Sequence, residues 1–188
     1  MISQLFKKDV LKILTVFSIS PGSKFYRKEL KEKTRLNNVS LDNGISILLN
    51  SNIITKKKKL FFLNFDNENT KQVIYLVSSQ YKFLKEIPLN VYFPIIDIVS
   101  FLSKFRFVDG YLFGSFAKLV FDETSDVDIA VVSDRITVEE KKDFEKLIRK
   151  LELRYGRKIE VHYFGKNFYK SKRDPFVKEI MKNGVKLL

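Results

Sequence analysis

Two aspartates, Asp126 and Asp128, stand one residue apart in SDVDIAVV, and eleven residues before the first of them Gly114–Ser115 closes the apolar run GYLF. Strand alternation puts both carboxylates on one face, with Val127 and Ile129 on the other. Two adjacent carboxylates repel when both are ionised, and a cation between them removes that cost. Mg²⁺ suits the pair, because it takes one or two carboxylates together with substrate phosphates. Paired acids also allow two ions, one at the attacking oxygen and one at the leaving group. Gly114 lacks a Cβ and lets backbone N–H groups approach a phosphate. Ser115 offers a hydroxyl, Lys118 a point charge and Ser125 a further polar contact beside Asp126. Glu160, in KIEVHYF, is an isolated carboxylate between Ile159 and Val161. It is the expected third ligand and a group able to take a proton from an attacking hydroxyl. The expected site therefore holds a nucleoside triphosphate with a divalent metal. A D-x-D alone is common on polar edge strands; its spacing from a strand-ending glycine makes the functional reading the stronger one.

His162 is the only histidine, and alternation places it on the Glu160 face. It has two readings, a contact to triphosphate or acceptor and a half-exposed strand residue. One histidine and no cysteine exclude a thiolate zinc centre and disulfides.

Short strands and helices must position these groups. GYLFG and VDIAVVS read as strands, and TVEEKKDFEKLIRKLELRYG reads as a helix. That helix has a Thr137/Glu140 capping box, an apolar stripe at Phe144, Leu147, Ile148, Leu151 and Tyr155, and Gly156 as its stop. KIEVHYF is a third strand. DPFVKEIMKNG is a last helix with Asp174 as N-cap, and VKLL is a possible final strand. Upstream, IIDIVSFLSKF presents Ile95, Ile98, Val99, Leu102 and Phe105, with Pro94 in its first turn. NTKQVIYLVSSQYKFLKEI carries Val73, Leu76, Val77 and Leu84.

The first 66 residues read as three helices and a hairpin. Leu5, Val10, Ile13, Leu14 and Phe17 form the first stripe, and Leu30 points inward from the second helix. Val39, Leu41, Ile45, Leu48 and Leu49 line the third, with Asn38, Ser40, Asn43 and Ser46 opposite. Two β-prone runs then flank Lys56, Lys57, Lys58 and Lys59. This is the order of a winged helix-turn-helix. Its third helix would enter the major groove, with Asn38, Ser40 and Asn43 at base edges, and the lysine tip would lie along phosphates. A solubilising edge is the alternative role for those lysines.

The segment GSFAK…SDVDIAVV resembles the signature of the nucleotidyltransferase superfamily that includes DNA polymerase beta, and most of all its minimal single-domain branch in archaea and bacteria. The likeness covers about residues 92–188. Archaeal members resembling this chain often carry an N-terminal winged helix. The resemblance implies an α+β protein: a winged helix-turn-helix over 1–66, a helical connector over 67–91, and a nucleotidyltransferase domain with a small mixed sheet flanked by helices over 92–188. It implies metal ligands at Asp126, Asp128 and Glu160, triphosphate contacts at Gly114 and Ser115, Mg²⁺ as the ion, and NTP, in the first instance ATP, as substrate. Relatives modify small molecules, RNA ends or protein tyrosines, the last in toxin–antitoxin pairs, so an antitoxin-like protein with a toxin partner as acceptor is one expectation. Leu119 departs from the family pattern, which has a glycine there.

The chain has 188 residues, 45% hydrophobic and 30% charged, with a formal net charge of +13. Residues 1–66 hold 13 Lys/Arg against 5 Asp/Glu, so the basic excess lies mostly in the part expected to meet DNA. No apolar run approaches the ~20 residues of a membrane span. The start MISQLFKKDVLKIL lacks a long apolar core and a small-residue cleavage site. A cytoplasmic location without a membrane partner is expected, and a homodimer is compatible with a winged helix. The competing expectation is a DNA-binding regulator whose C-terminal domain senses nucleotide without turnover.

Overall fold

The computed structural model describes residues 7–80, 84, 86–165, 167–171 and 173–188. Leu5 lies outside them. The chain divides into two compact units, with the boundary between residues 85 and 86. None of the described helices is long and apolar enough to cross a membrane.

The N-terminal unit runs α1 (Lys8–Ile19), β1 (Phe25–Tyr26), α2 (Arg27–Thr34), α3 (Asn38–Asn50), β2 (Ile54–Lys57), β3 (Leu60–Leu63) and α4 (Glu68–Gln80). The strands form an antiparallel sheet in the order β1-β3-β2. Val10, Ile13, Leu14, Phe17, Leu30, Leu41 and Leu48 are all buried to within 1% of full burial, which is the helical stripe pattern realised as a core. Gly44 makes the α1–α3 contact possible: a Cβ there would stand 2.6 Å from Ile13 Cδ1.

Two residues expected inside are outside. Val39 is 70% exposed and Leu76 is 57% exposed. The buried stripe of α3 is Leu41, Gly44, Ile45 and Leu48, and Val39, two positions before Leu41, is turned about 200° away. In α4 the stripe is Thr70, Ile74 and Val77, and Leu76 is likewise two positions from Ile74. The segment expected to be a connector is divided: α4 packs against α1 in the first unit.

The C-terminal unit runs α5 (Leu89–Leu102), β4 (Asp109–Phe113), α6 (Gly114–Lys118), β5 (Val127–Val132), α7 (Val138–Tyr155), β6 (Ile159–Phe164), a 3₁₀ turn (Phe168–Lys170), α8 (Pro175–Asn183) and β7 (Val185–Lys186). Pro94 is not in the first turn of its helix but inside α5, which begins earlier because Pro88 caps it; the Pro88 carbonyl accepts from Val91 and Tyr92 N–H at 2.9 Å. The missing Pro94 N–H leaves the Asn90 carbonyl without its helical donor, close enough to the helix start and half exposed so that water can serve it.

The second sheet has the order β6-β5-β4-β7, parallel between β5 and β6 and antiparallel elsewhere. Val127, Ile129 and Val131 point to one face and are essentially inaccessible, and Leu102 of α5 reaches that face beside Gly110. On the other face Tyr111, Phe113, Ala130 and Val132 pack with Phe168, Val177 and Ile180, so α8 covers part of it. α7 keeps the expected Thr137/Glu140 capping box and ends at Gly156 with φ 63°. Asp174 caps α8, accepting from Phe176 and Val177 N–H at 2.9 and 3.1 Å.

Candidate active site

The site forms at the polar end of the second face, bordered by Phe176 of α8. The register pairs Asp128 with Glu160 on neighbouring parallel strands, and Phe113 with Asp128 across the antiparallel pair. His162 follows Glu160 on the same face. One ligand atom from each of Asp128, Glu160 and His162 lies within 4.8 Å of the other two. His162 is held in place by rings: Phe113 meets it edge-on at 5.3 Å and Phe176 stacks on it at 5.5 Å. Its Nε2 stands 3.8 Å from Glu160 Oε2.

Gly114 carries φ +70°, a conformation that an L side chain adopts at a cost. Its missing Cβ also leaves room for a carboxylate: an added carbon would stand 2.9 Å from Asp128 Cγ and collide with Oδ2. The glycine turn and the aspartate strand are thus in direct contact. Burial first, and the Glu160 charge second, push the Asp128 carboxyl above its ordinary range, with His162 and Lys158 partly opposing. Two carboxylates at one half-buried edge are a donor set for a hard divalent cation. The residues present fit such an ion.

Asp126 is placed differently. β5 begins at Val127, so Asp126 belongs to the preceding loop and strand alternation does not orient it. Its Oδ2 lies 2.9 Å from Lys158 Nζ, and the same ammonium bonds Glu160 Oε1. Glu160 first, then Asp126, hold Lys158 firmly in its charged form. Asp126 is therefore joined to the other acids through Lys158 and stands outside the group of three.

The loop between α6 and β5 is tied down by a residue that the pattern did not signal. Arg157 Nη1 donates to the carbonyls of Glu123 at 2.5 Å, Ser125 at 3.2 Å and Asp122 at 3.4 Å. Ser125 serves this loop too: its Oγ accepts from Asp122 N–H at 2.9 Å and donates to Asp122 Oδ1 at 3.1 Å. Ser115 is half exposed on the first turn of α6. Lys118 makes an ion pair with Glu179 of α8 at 3.1 Å, and Lys118 first, then Asn183, hold the Glu179 carboxyl below its usual range. Leu119 ends α6 in the left-handed region, φ 57° and ψ 34°, a conformation that explains the glycine expected at this place.

In the N-terminal unit Lys56 and Lys57 close β2, and Lys58–Lys59 form the two-residue turn, all four exposed. Asn38, Asn43 and Ser46 are exposed on α3, and Ser40 is half exposed. Arg27 forks onto Asp42 at 2.7 and 2.8 Å and reaches Asn38 at 3.3 Å, which neutralises the acid on that helix.

No curated protein matches the chain. Residues 95–187 match the family model described as "Nucleotidyltransferase domain", a span that contains Gly114, Asp126, Asp128, Lys158, Glu160 and His162. That match supports placing the C-terminal unit in the nucleotidyltransferase superfamily, with nucleotidyl transfer as its general chemistry, a nucleoside triphosphate as substrate and a divalent metal in use.

Proposed function

We propose that the chain is a Mg²⁺-dependent nucleotidyltransferase that moves a nucleoside monophosphate, in the first instance from ATP, to a hydroxyl on a protein, nucleic acid or small molecule. The observation that carries this reading is the in-register pair Asp128–Glu160 directly beside the Gly114 turn. Asp128 and Glu160, joined by Asp126, would hold the metal, with His162 next to them. The metal would supply positive charge to the phosphates and to the developing oxyanions. Gly114 and Ser115 would orient the triphosphate, and Lys118, once drawn from Glu179, would add a charge to it. The acceptor oxygen bonds to the α-phosphorus as the bond from that phosphorus to the β-phosphate oxygen breaks, and pyrophosphate leaves. Glu160 would take the acceptor's proton. The test is transfer of α-³²P label: Asp128→Ala should abolish it, and transfer that survives Asp126→Ala with Asp128→Ala sinks the mechanism.

The N-terminal unit we read as a winged helix-turn-helix that contacts DNA through α3 and the Lys56–Lys59 hairpin. The basic excess of residues 1–66 and the exposure of those four lysines support this reading. A second reading treats the C-terminal unit as a nucleotide sensor in a DNA-binding regulator. Leu119 favours it, since a branched side chain ends the phosphate-side turn where a glycine would leave it open. Pyrophosphate release from NTP separates the two.

A further inference from the structure

Glu160 is divided between two neighbours. Oε1 bonds Lys158, and Oε2 faces His162 at 3.8 Å. Lys158 also binds Asp126 Oδ2 at 2.9 Å, so one ammonium occupies the space between the loop carboxylate and the strand carboxylate. Asp126 stands outside the Asp128–Glu160–His162 group, and its carboxylate is bonded to Lys158 instead.

We propose that Lys158 is the resident counter-ion of the carboxylate site, displaced whenever a divalent cation loads, so that it sets the site's metal affinity and releases Asp126 to join Asp128 and Glu160. This rests on the metal reading given above. Three carboxylates around one edge need positive charge whether or not metal is present, and Lys158 is the cation bonded to two of them. Its side chain is 60% exposed, so its head returns to water without a desolvation cost when it leaves. The surface beside it, lined by Arg149, Glu152, Leu153 and Arg157, is open, so none of the described side chains blocks its withdrawal. Arginine would be a poorer device, since a planar fork holds a carboxylate more firmly than a point charge does.

The test is a calorimetric titration of Mn²⁺ and Mg²⁺ into the full chain, without nucleotide, for wild type, Lys158→Met and Lys158→Arg. Lys158→Met should bind metal about threefold to tenfold more tightly, the range expected for losing two exposed ion pairs. Lys158→Arg should bind more weakly than wild type. In the wild type, acylation of Lys158 by a water-soluble succinimidyl ester, read by mass spectrometry, should rise as Mg²⁺ is added. That footprint decides the matter even where a variant fails to fold. Wild-type metal binding with equal affinity in Lys158→Met, or with a Lys158 footprint that metal leaves unchanged, overturns this inference and spares the enzymatic reading. A wild type that binds neither ion overturns both.

Discussion

Gly114 and Asp128 touch across two antiparallel strands so closely that a single methyl group at position 114 has no room beside the carboxylate. The contact joins the glycine turn to the aspartate strand, so each constrains the other. Gly114→Ala should therefore destabilise the C-terminal unit by about 2–4 kcal/mol, combining a left-handed backbone with a blocked side chain. Chemical denaturation measures this, and a loss below about 0.5 kcal/mol would mean that the turn relaxes freely.

Asp128→Asn should act in the opposite direction on the metal-free protein. It removes one of two facing negative charges at a half-buried edge, and stability should rise by about 0.5–1 kcal/mol. The wild type should gain melting temperature in excess Mg²⁺ if the proposed site binds the ion in the folded state alone, and the same variant should lose that gain. Thermal melts with and without Mg²⁺ check both halves.

Leu119→Gly should leave stability within about 1 kcal/mol of wild type. Relief of the left-handed leucine offsets the added freedom of the unfolded chain. The side chain is 49% exposed, so little packing is lost. Triphosphate affinity, measured by equilibrium binding of a non-hydrolysable analogue, should increase. Unchanged affinity would remove Leu119 as the reason for reading this unit as a sensor.

Replacing Lys56, Lys57, Lys58 and Lys59 with alanine should weaken duplex DNA binding without altering the fold. If each lysine neutralises one phosphate, the slope of log K against log salt flattens by about three to four. Fluorescence anisotropy at several salt concentrations measures it, and an unchanged slope removes the hairpin from the interface.

Asp109 gives the second sheet an acid-sensitive fastening. Burial works to raise its carboxyl, but Lys186 at 2.7 Å and the Tyr169 hydroxyl at 2.5 Å outweigh it, and the net direction is downward. A lowered carboxyl contributes stability that is present above its unfolded value, ~3.9, and is lost as pH falls through the folded one. Asp109→Asn should be less stable than wild type at pH 6, and the two stability curves should converge as the pH falls below about 4.

Much of this arrangement was legible in the chain. Alternation in KIEVHYF and a glycine at the end of GYLF were enough to bring Glu160, Asp128 and Gly114 under suspicion, because local periods survive folding. The capping box and stop of α7 and the Asp174 N-cap of α8 were legible for the same reason. Val39 and Leu76 were misplaced because a helical stripe read by eye tolerates a residue two positions out of phase. β1, two residues long, has no period to read. Lys158 and Arg157 were missed for a different reason. The carbonyls that Arg157 holds and the Asp126 that Lys158 holds lie more than thirty residues away in sequence, and a basic residue is unremarkable in a chain with 35 Lys and Arg.

The guanidinium of Arg157 holds three loop carbonyls, those of Asp122, Glu123 and Ser125, at the threshold of β6. It therefore works as an indexing pin. Sliding β6 by one residue would set Ile159 or Val161 opposite Asp128 and turn Glu160 and His162 toward the apolar side. It would also tear Arg157 from the loop. Insertions that lengthen the α7–β6 connection are thus penalised twice, because they disturb both the strand register and the three carbonyl contacts of Arg157.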